Sequence, residues 1–198
     1  MFRLVSIPCL LGIVFQLAGC YSPTVKSIPI ITDNQGWQLE EICGSENCYP
    51  LVDVLRKDGF VIRVEARNGT IIPDVFTVSV AFSITLGFPE LVNKGYTYEP
   101  SKSFVRFGDG HTIHAKGFPC PHTRYSLSYF RNFESVNNSV ELPASHPKTG
   151  KPYSCFILFF DGKPPSVEET FELHIDGLSQ ANKEVEVPTL FFSKGIRR

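Results

Sequence analysis

Large apolar residues alternate with polar or small residues along several parts of the chain. The longest example covers residues 76–86, where every second position is large and apolar: Phe76, Val78, Val80, Phe82, Ile84 and Leu86. Successive side chains of a strand point to opposite faces, whereas a helix cannot hold six residues spaced by two on one side. The pattern therefore predicts a half-buried β-strand, and residues 60–67 and 171–176 repeat it.

Turn-forming residues separate these apolar runs. Gly108-Asp109-Gly110 lies between the runs 103–107 and 111–116, which predicts a β-hairpin. The run 153–160 is apolar almost throughout and ends at Asp161-Gly162, which predicts a central strand covered on both faces. No window of useful length has helical spacing together with capping residues.

Several short strands joined by turns define the expected architecture. We predict an all-β fold, an antiparallel β-sandwich of immunoglobulin-like type with about eight or nine strands. A small β-barrel is the alternative that the same pattern allows. No linker interrupts residues 37–198, so we expect one β-sandwich domain over that range.

Composition and charge exclude two classes of protein. The chain has 198 residues, of which 42% are hydrophobic and 20% charged, and this balance excludes a disordered chain. The 19 Lys and Arg residues against 20 Asp and Glu residues give a net charge of −1. A nearly neutral chain is not suited to hold nucleic-acid phosphates by bulk charge, so no nucleic-acid partner is expected.

The N-terminal residues have the composition of an export signal. Arg3 provides a positive start, and residues 4–15 form an apolar stretch of twelve residues. A helix needs about 20 apolar residues to span a bilayer, so this stretch is too short to be a permanent membrane span. A charged start, a short apolar centre and small residues after it predict a secretory signal peptide.

The end of this signal resembles the lipobox of bacterial lipoproteins. The residues that carry the resemblance are Leu17-Ala18-Gly19-Cys20: a Leu, two small residues and an essential Cys. The resemblance implies that the Cys20 sulfur receives a diacylglycerol, that residues 1–19 are cleaved off, and that the new N-terminus is acylated. In that family an Asp after the lipidated Cys retains the protein in the inner membrane. Tyr21 stands there instead, which favours the outer membrane of a cell with two membranes.

Residues 20–36 have no clear hydrophobic period and contain Pro23, Pro29 and Gly36. We therefore expect a lipid-anchored tether over this range. Its function would be to hold the folded domain at the cell envelope.

Four cysteines remain once Cys9 leaves with the signal and Cys20 carries lipid. In an oxidising compartment an even number of thiols predicts disulfides, and four cysteines allow three pairings. We favour Cys43–Cys48, which closes a short turn, together with Cys120–Cys155. A zinc site made of the four thiolates is the alternative, but Cys120 and Cys155 do not form a second close pair.

Aromatic residues are the candidate binding surface. Tyr96 and Tyr98 share a face of an extended segment, as do Tyr125 and Tyr129. A row of tyrosines can stack against sugar rings or against a protein partner. Positions in the core or in half-buried strands are the alternative interpretation of the same residues.

Candidate catalytic and metal-binding residues form weaker patterns. His111, His114 and His122 follow the predicted hairpin turn, but residues three apart in a strand point to opposite faces, so the first two do not easily share one ion. Cys120-Pro121-His122 resembles a nucleophile beside a base. The expected disulfide between Cys120 and Cys155 argues against this interpretation, because it leaves no free thiol. Paired carboxylates that glycoside hydrolysis needs are present at three places: Glu40-Glu41, Glu168-Glu169 and Glu184-x-Glu186.

We expect a membrane-anchored envelope lipoprotein with a non-catalytic binding or structural role. Its expected partners are the membrane, through the lipid anchor, and an envelope protein or glycan. No catalytic residue, cofactor or metal is predicted. The alternative is an envelope hydrolase acting on peptidoglycan or polysaccharide, which needs two carboxylates in a cleft or a free thiol beside a His. A metal carrier that uses His111, His114 and His122 is a third possibility.

Overall fold

The structure is a computed structural model, and it describes residues 24–31, 35–43, 51–68, 76–84, 94–120, 134–146, 150–162, 165–166 and 168–197. Over these ranges the chain forms sixteen β-strands and one turn of 3-10 helix at Pro100–Lys102. Within the same ranges, no helix is long and apolar enough to cross a membrane.

The first eight strands are β1 (Thr24–Ile31), β2 (Gln38–Cys43), β3 (Leu51–Lys57), β4 (Phe60–Asn68), β5 (Phe76–Ile84), β6 (Tyr96–Tyr98), β7 (Phe104–Phe107) and β8 (Thr112–Pro119). The second eight are β9 (Val140–Glu141), β10 (Ala144–Ser145), β11 (Pro152–Tyr153), β12 (Cys155–Phe160), β13 (Phe171–His174), β14 (Leu178–Gln180), β15 (Lys183–Glu184) and β16 (Leu190–Arg197).

Ten of these strands form one sheet in the order β1-β16-β13-β7-β8-β12-β5-β4-β3-β2. Two smaller sheets have the orders β15-β14-β6-β9 and β10-β11. Every described strand pair is antiparallel. The predicted all-β, antiparallel fold class is confirmed, whereas the immunoglobulin-like arrangement within that class stays a prediction.

Strand β8 divides the large sheet into two halves. Its residues 112–114 pair with β7, and its residues 115–119 pair with β12. The change occurs at Ala115, whose N–H donates to the Ser103 carbonyl oxygen at 2.9 Å. A strand that exchanges partners in this way lets one sheet fold back over itself, as at the corner of a sandwich or barrel.

The two halves enclose one hydrophobic core, and aromatic rings connect them. Phe76 of β5 lies in one half, and its ring meets Phe171 of β13, in the other half, with centroids 5.2 Å apart and planes at 77°. Phe76 also stacks on Phe160 at 5.4 Å, and Phe171 stacks on Phe192 at 4.7 Å. All four rings are fully buried. The alternating apolar positions of the sequence therefore face a shared interior.

The predicted local elements around the core are confirmed. The hairpin that Gly108-Asp109-Gly110 indicates is β7–β8. The apolar run 153–160 contains β12, which is a central strand because it pairs with β8 on one side and β5 on the other. Its residues Phe156, Leu158 and Phe160 are fully buried.

The range in which a tether is expected contains strand β1. This strand pairs with β16 along its whole length, from Thr24↔Arg197 to Ile31↔Leu190. Pro29 interrupts the hydrophobic pattern of the segment, but β1 is an edge strand, and an edge strand tolerates proline because one of its sides needs no hydrogen-bond donors. The β-sheet therefore begins four residues after Cys20 in the sequence.

The predicted disulfide Cys120–Cys155 is confirmed. Cys120 follows β8, Cys155 begins β12, and their Cα atoms are 5.3 Å apart. The N–H of Cys120 also donates to the Cys155 carbonyl oxygen at 2.9 Å, so the bridge joins two hydrogen-bonded neighbours. Cys48, Cys20 and the side chain of Cys43 lie outside the described residues.

Candidate binding cleft

The tyrosines predicted as a binding row have different surroundings. Tyr98 is fully buried in the core, between the rings of Phe82 at 4.7 Å and Phe156 at 5.2 Å. Tyr96 is half-buried and stacks on Phe60 at 4.5 Å. Tyr125 and Tyr129 lie outside the described residues.

Hydrogen bonding explains why a tyrosine is tolerated at position 98. Its hydroxyl group lies 2.8 Å from the Ser103 hydroxyl, which in turn donates to the Asp176 carbonyl oxygen at 3.2 Å. Burial raises the pKa of Tyr98 far above its usual range, so the phenol stays neutral. Tyr98 thus packs in the core, and its ring has no surface on which a ligand can stack.

An open cleft lies at one end of the large sheet, beside the point where β8 leaves β12. Its volume is about 610 Å³. Three loops build it: the β7–β8 turn, the residues after β12 and the residues before β13. The lining residues are Phe107, Gly108, Asp109, His111, Ile113, Asp161, Gly162, Glu168, Glu169 and Thr170. Rigid strands thus hold the loops that form the cleft, an arrangement typical of binding sites.

The apolar part of the cleft consists of the half-buried side chains of Phe107 and Ile113, beside the exposed ring of His111. Phe107 packs against the core ring of Phe171 at 6.5 Å, and His111 stacks on Phe107 at 5.5 Å with an interplanar angle of 17°. Gly162 lies so close to Ile113 that an added Cβ atom would stand 2.8 Å from the Ile113 Cδ1 atom. The cleft therefore has an aromatic surface on one side and a close glycine contact on the other.

The rim of the cleft is acidic. Asp109, Asp161, Glu168 and Glu169 supply four exposed carboxylates. Lys116 lies 3.5 Å from the Asp161 carboxylate, but both side chains are more than half exposed, so solvent screens this pair. Asp109 accepts a hydrogen bond from the His111 N–H at 2.9 Å, which holds the β7–β8 turn. The excess of carboxylates makes the cleft a site of negative potential.

A polar cluster lies next to the cleft on the outer face of β7 and β13. Arg106 donates to Glu172 through both Nε and a terminal nitrogen, and the His174 Nε2 atom lies 3.0 Å from the same carboxylate. The hydrogen bond with His174, followed by Arg106, lowers the pKa of Glu172. The His174 ring stacks on Phe104 with centroids 4.2 Å apart, and the Thr189 hydroxyl oxygen lies 3.3 Å from the His174 Nδ1 atom.

The histidines weighed as metal ligands contact different partners. His111 lines the cleft against Phe107, whereas His114 lies beside Phe104, 5.5 Å between ring centroids. His122 lies outside the described residues. Across the ranges that the structure covers, no group of three His, Cys, Asp or Glu residues is arranged to hold a metal ion.

Comparison of the chain with protein-family models finds no match, and searches of curated proteins and of solved structures find no significant match either. The fold and the cleft define the class: an all-β, antiparallel protein with an open acidic cleft at one end of its large sheet. The function is therefore inferred from the residues of this chain.

Proposed function

We propose that this protein is a lipid-anchored envelope protein that binds a ligand or partner without transforming it. Cys20 attaches it to the membrane, as the lipobox resemblance implies, and the β-sandwich presents the binding site. The observation that carries the binding role is the cleft, in which three loops form a concave site of about 610 Å³ on a rigid sheet.

The charge of the cleft favours a cationic ligand group. Four carboxylates surround an aromatic surface made by Phe107 and His111. A primary ammonium group is attracted by the carboxylates, and the carbon chain that carries it packs on the aromatic surface. Amine-bearing envelope polymers and basic peptide segments both offer this chemistry.

Equilibrium dialysis with spermidine, a linear triamine, tests this proposal. We expect saturable binding that weakens at least about tenfold when the four cleft carboxylates become amides, since each screened contact contributes up to about 1 kcal/mol. A control removes the same number of exposed carboxylates elsewhere, at Glu134, Glu141, Glu184 and Glu186. Equal loss in both variants, or no saturable binding by the parent, contradicts the proposed site.

The same cleft supports a second candidate function, an envelope hydrolase. Glu168 and Glu169, one of the carboxylate pairs named from the sequence, line it together with Asp109 and Asp161. A hydrolase that uses Cys120 as its nucleophile has no support, because Cys120 is in a disulfide with Cys155. Release of soluble fragments from purified peptidoglycan, abolished by Glu168→Gln or Glu169→Gln, would establish the enzyme and reject the non-catalytic proposal.

A further inference from the structure

The pairing of β1 with β16 continues past the last described pair between β13 and β16, so these residues form a two-stranded ribbon. β13 pairs with β16 from Leu173↔Leu190 to Phe171↔Phe192. Beyond Phe192, the residues Ser193–Arg197 pair with Thr24–Ile28 of β1. At about 3.4 Å per residue, these five positions reach roughly 17 Å past Phe192.

The ribbon ends on the side of the lipid anchor. Thr24 pairs with Arg197 at its tip, and Cys20 precedes Thr24 by four residues in the sequence. Four residues span at most about 14 Å even when fully extended. A lipid on Cys20 therefore keeps the tip of the ribbon within reach of the bilayer surface.

The residues of this ribbon carry positive charge alone. Lys26 lies on β1, and Lys194 and Arg197 lie on β16, whereas the two paired segments contain no Asp or Glu. Arg198 adds a fourth cation directly after Arg197 in the sequence. This local excess contrasts with the net charge of −1 for the whole chain.

Acidic residues also lie at this end of the sheet, and the tip is the part of the ribbon farthest along the strand direction from Phe107 and Phe171. Glu168 and Glu169 precede β13, and Asp109 lies in the β7–β8 turn, so these loops begin level with Phe107 and Phe171. The tip of the ribbon at Thr24 and Arg197 lies roughly 17 Å beyond that level, which exceeds the Debye length of about 8 Å at physiological ionic strength, whereas Lys194 lies only about 7 Å beyond it.

We propose that this basic ribbon, Thr24–Ile28 paired with Ser193–Arg197, docks on anionic phospholipid headgroups and fixes how the domain stands on the membrane. The inference rests on the proposed lipid anchor for its geometry. Basic residues near an anionic bilayer each strengthen association by about fivefold, and they act as a second membrane signal beside an acyl chain. The ribbon then orients the sandwich, so that the domain does not swing freely from its lipid.

Vesicle sedimentation of the mature chain carrying Cys20→Ser tests the ribbon separately from the lipid. We compare vesicles of phosphatidylcholine with vesicles that also contain 30% phosphatidylglycerol. In low salt, we expect binding to the anionic vesicles to be on the order of 100-fold tighter than to the neutral ones, since three cations take part. The difference should disappear in 0.5 M NaCl, where the Debye length falls to about 4 Å.

Two variants of equal charge decide whether the ribbon is responsible. The ribbon variant carries Lys26→Gln, Lys194→Gln and Arg197→Gln, and we expect it to bind both kinds of vesicle equally weakly. The control variant removes three exposed cations outside the ribbon, at Arg63, Lys94 and Lys183, and should bind like the parent. Equal binding by the ribbon variant and the parent, or an equal loss in the control variant, overturns the proposal.

Single substitutions and palmitate labelling separate the ribbon proposal from the anchor proposal. If the ribbon variant does not fold, the single changes Lys26→Gln and Lys194→Gln are each expected to weaken anionic binding about fivefold, and a lack of effect from both contradicts the inference. Palmitate labelling of the unmodified chain reports on the anchor separately. Selective vesicle binding without labelling means that the anchor proposal fails, whereas labelling without selective binding means that the ribbon proposal fails.

Discussion

Phe76 and Phe171 meet edge to face with their ring centroids 5.2 Å apart, and this contact joins the two halves of the large sheet across the core. Phe76 belongs to β5, on one side of the β8 corner, and Phe171 belongs to β13, on the other. Packing at this contact therefore holds the two halves together across the core, in addition to the hydrogen bonds of β8, which pairs with both halves.

Phe171→Ala is expected to lower the free energy of unfolding by about 3–5 kcal/mol, because it removes a fully buried ring and leaves a cavity. Urea unfolding followed by the fluorescence of Trp37, the single tryptophan, measures this loss. Phe104→Ala is the control, since Phe104 is half-buried on the outer face and should cost clearly less. Equal losses from the two changes contradict the assignment of the core.

The Cys120–Cys155 disulfide is expected to stabilise the domain by about 4 kcal/mol, because it closes a loop with a sequence separation of 35 residues in the unfolded chain. The double change Cys120→Ser and Cys155→Ser should lower the urea midpoint accordingly. The parent, denatured without reductant, should show no reactive thiol from either residue when labelled peptides are mapped. A labelled Cys120 peptide contradicts the bridge.

Glu172→Gln is expected to destabilise the protein at pH 7, and its effect should shrink progressively as the pH falls below 4.5. The pKa of Glu172 is lowered in the folded protein by His174 and Arg106, so its charged form adds stability above the usual carboxyl pKa of 4.5. That contribution is lost as pH falls through the folded pKa. Unfolding at a series of pH values measures the difference from the parent. A difference that stays constant with pH contradicts the charge-based explanation, and Glu141→Gln on exposed β9 serves as the control.

Asp176→Asn is expected to change the free energy of unfolding at pH 7 in the opposite direction from Glu172→Gln. Burial raises the pKa of Asp176, with a smaller opposing effect of His174 and a further increase from Glu184. Its charged form is therefore penalised in the folded protein at pH 7, and the amide removes that penalty. The variant should be at least as stable as the parent at pH 7, and its advantage should vanish once the pH falls below the usual carboxyl pKa of 3.8. Destabilisation confined to pH 7 contradicts the prediction.

Local patterns predict the elements of this fold better than their assembly. The turn Gly108-Asp109-Gly110 and the apolar run 153–160 indicate β7–β8 and β12, because turn chemistry and burial act within a few residues. The exchange of partners within β8 does not appear in the sequence, since its two parts differ only in which distant strand they meet. Strand β1 is not predicted from the sequence because Pro29 indicates a break in a strand. Proline is compatible with a strand at the edge of a sheet, but the edge position is not visible in the sequence.

The residues of the candidate cleft are likewise recognisable one by one in the sequence, but their assembly is not. Glu168-Glu169 attracts attention as a carboxylate pair, and His111 as a residue after a turn, but nothing in their spacing indicates that Asp109 and Asp161 join them. These residues come from three loops that the sheet brings together. The alternation of Tyr96 and Tyr98 indicates a shared face, but it does not show that this face points to the core.

The most direct test of the account is the lipidation of Cys20 itself. Cells expressing the parent or Cys20→Ser are labelled with palmitate, and their membranes are washed with carbonate. The account predicts a labelled parent, shortened by the signal of 19 residues and retained in the washed membranes, and an unlabelled, unprocessed variant. A parent that carries no label and keeps its signal, or a variant labelled as strongly as the parent, contradicts it.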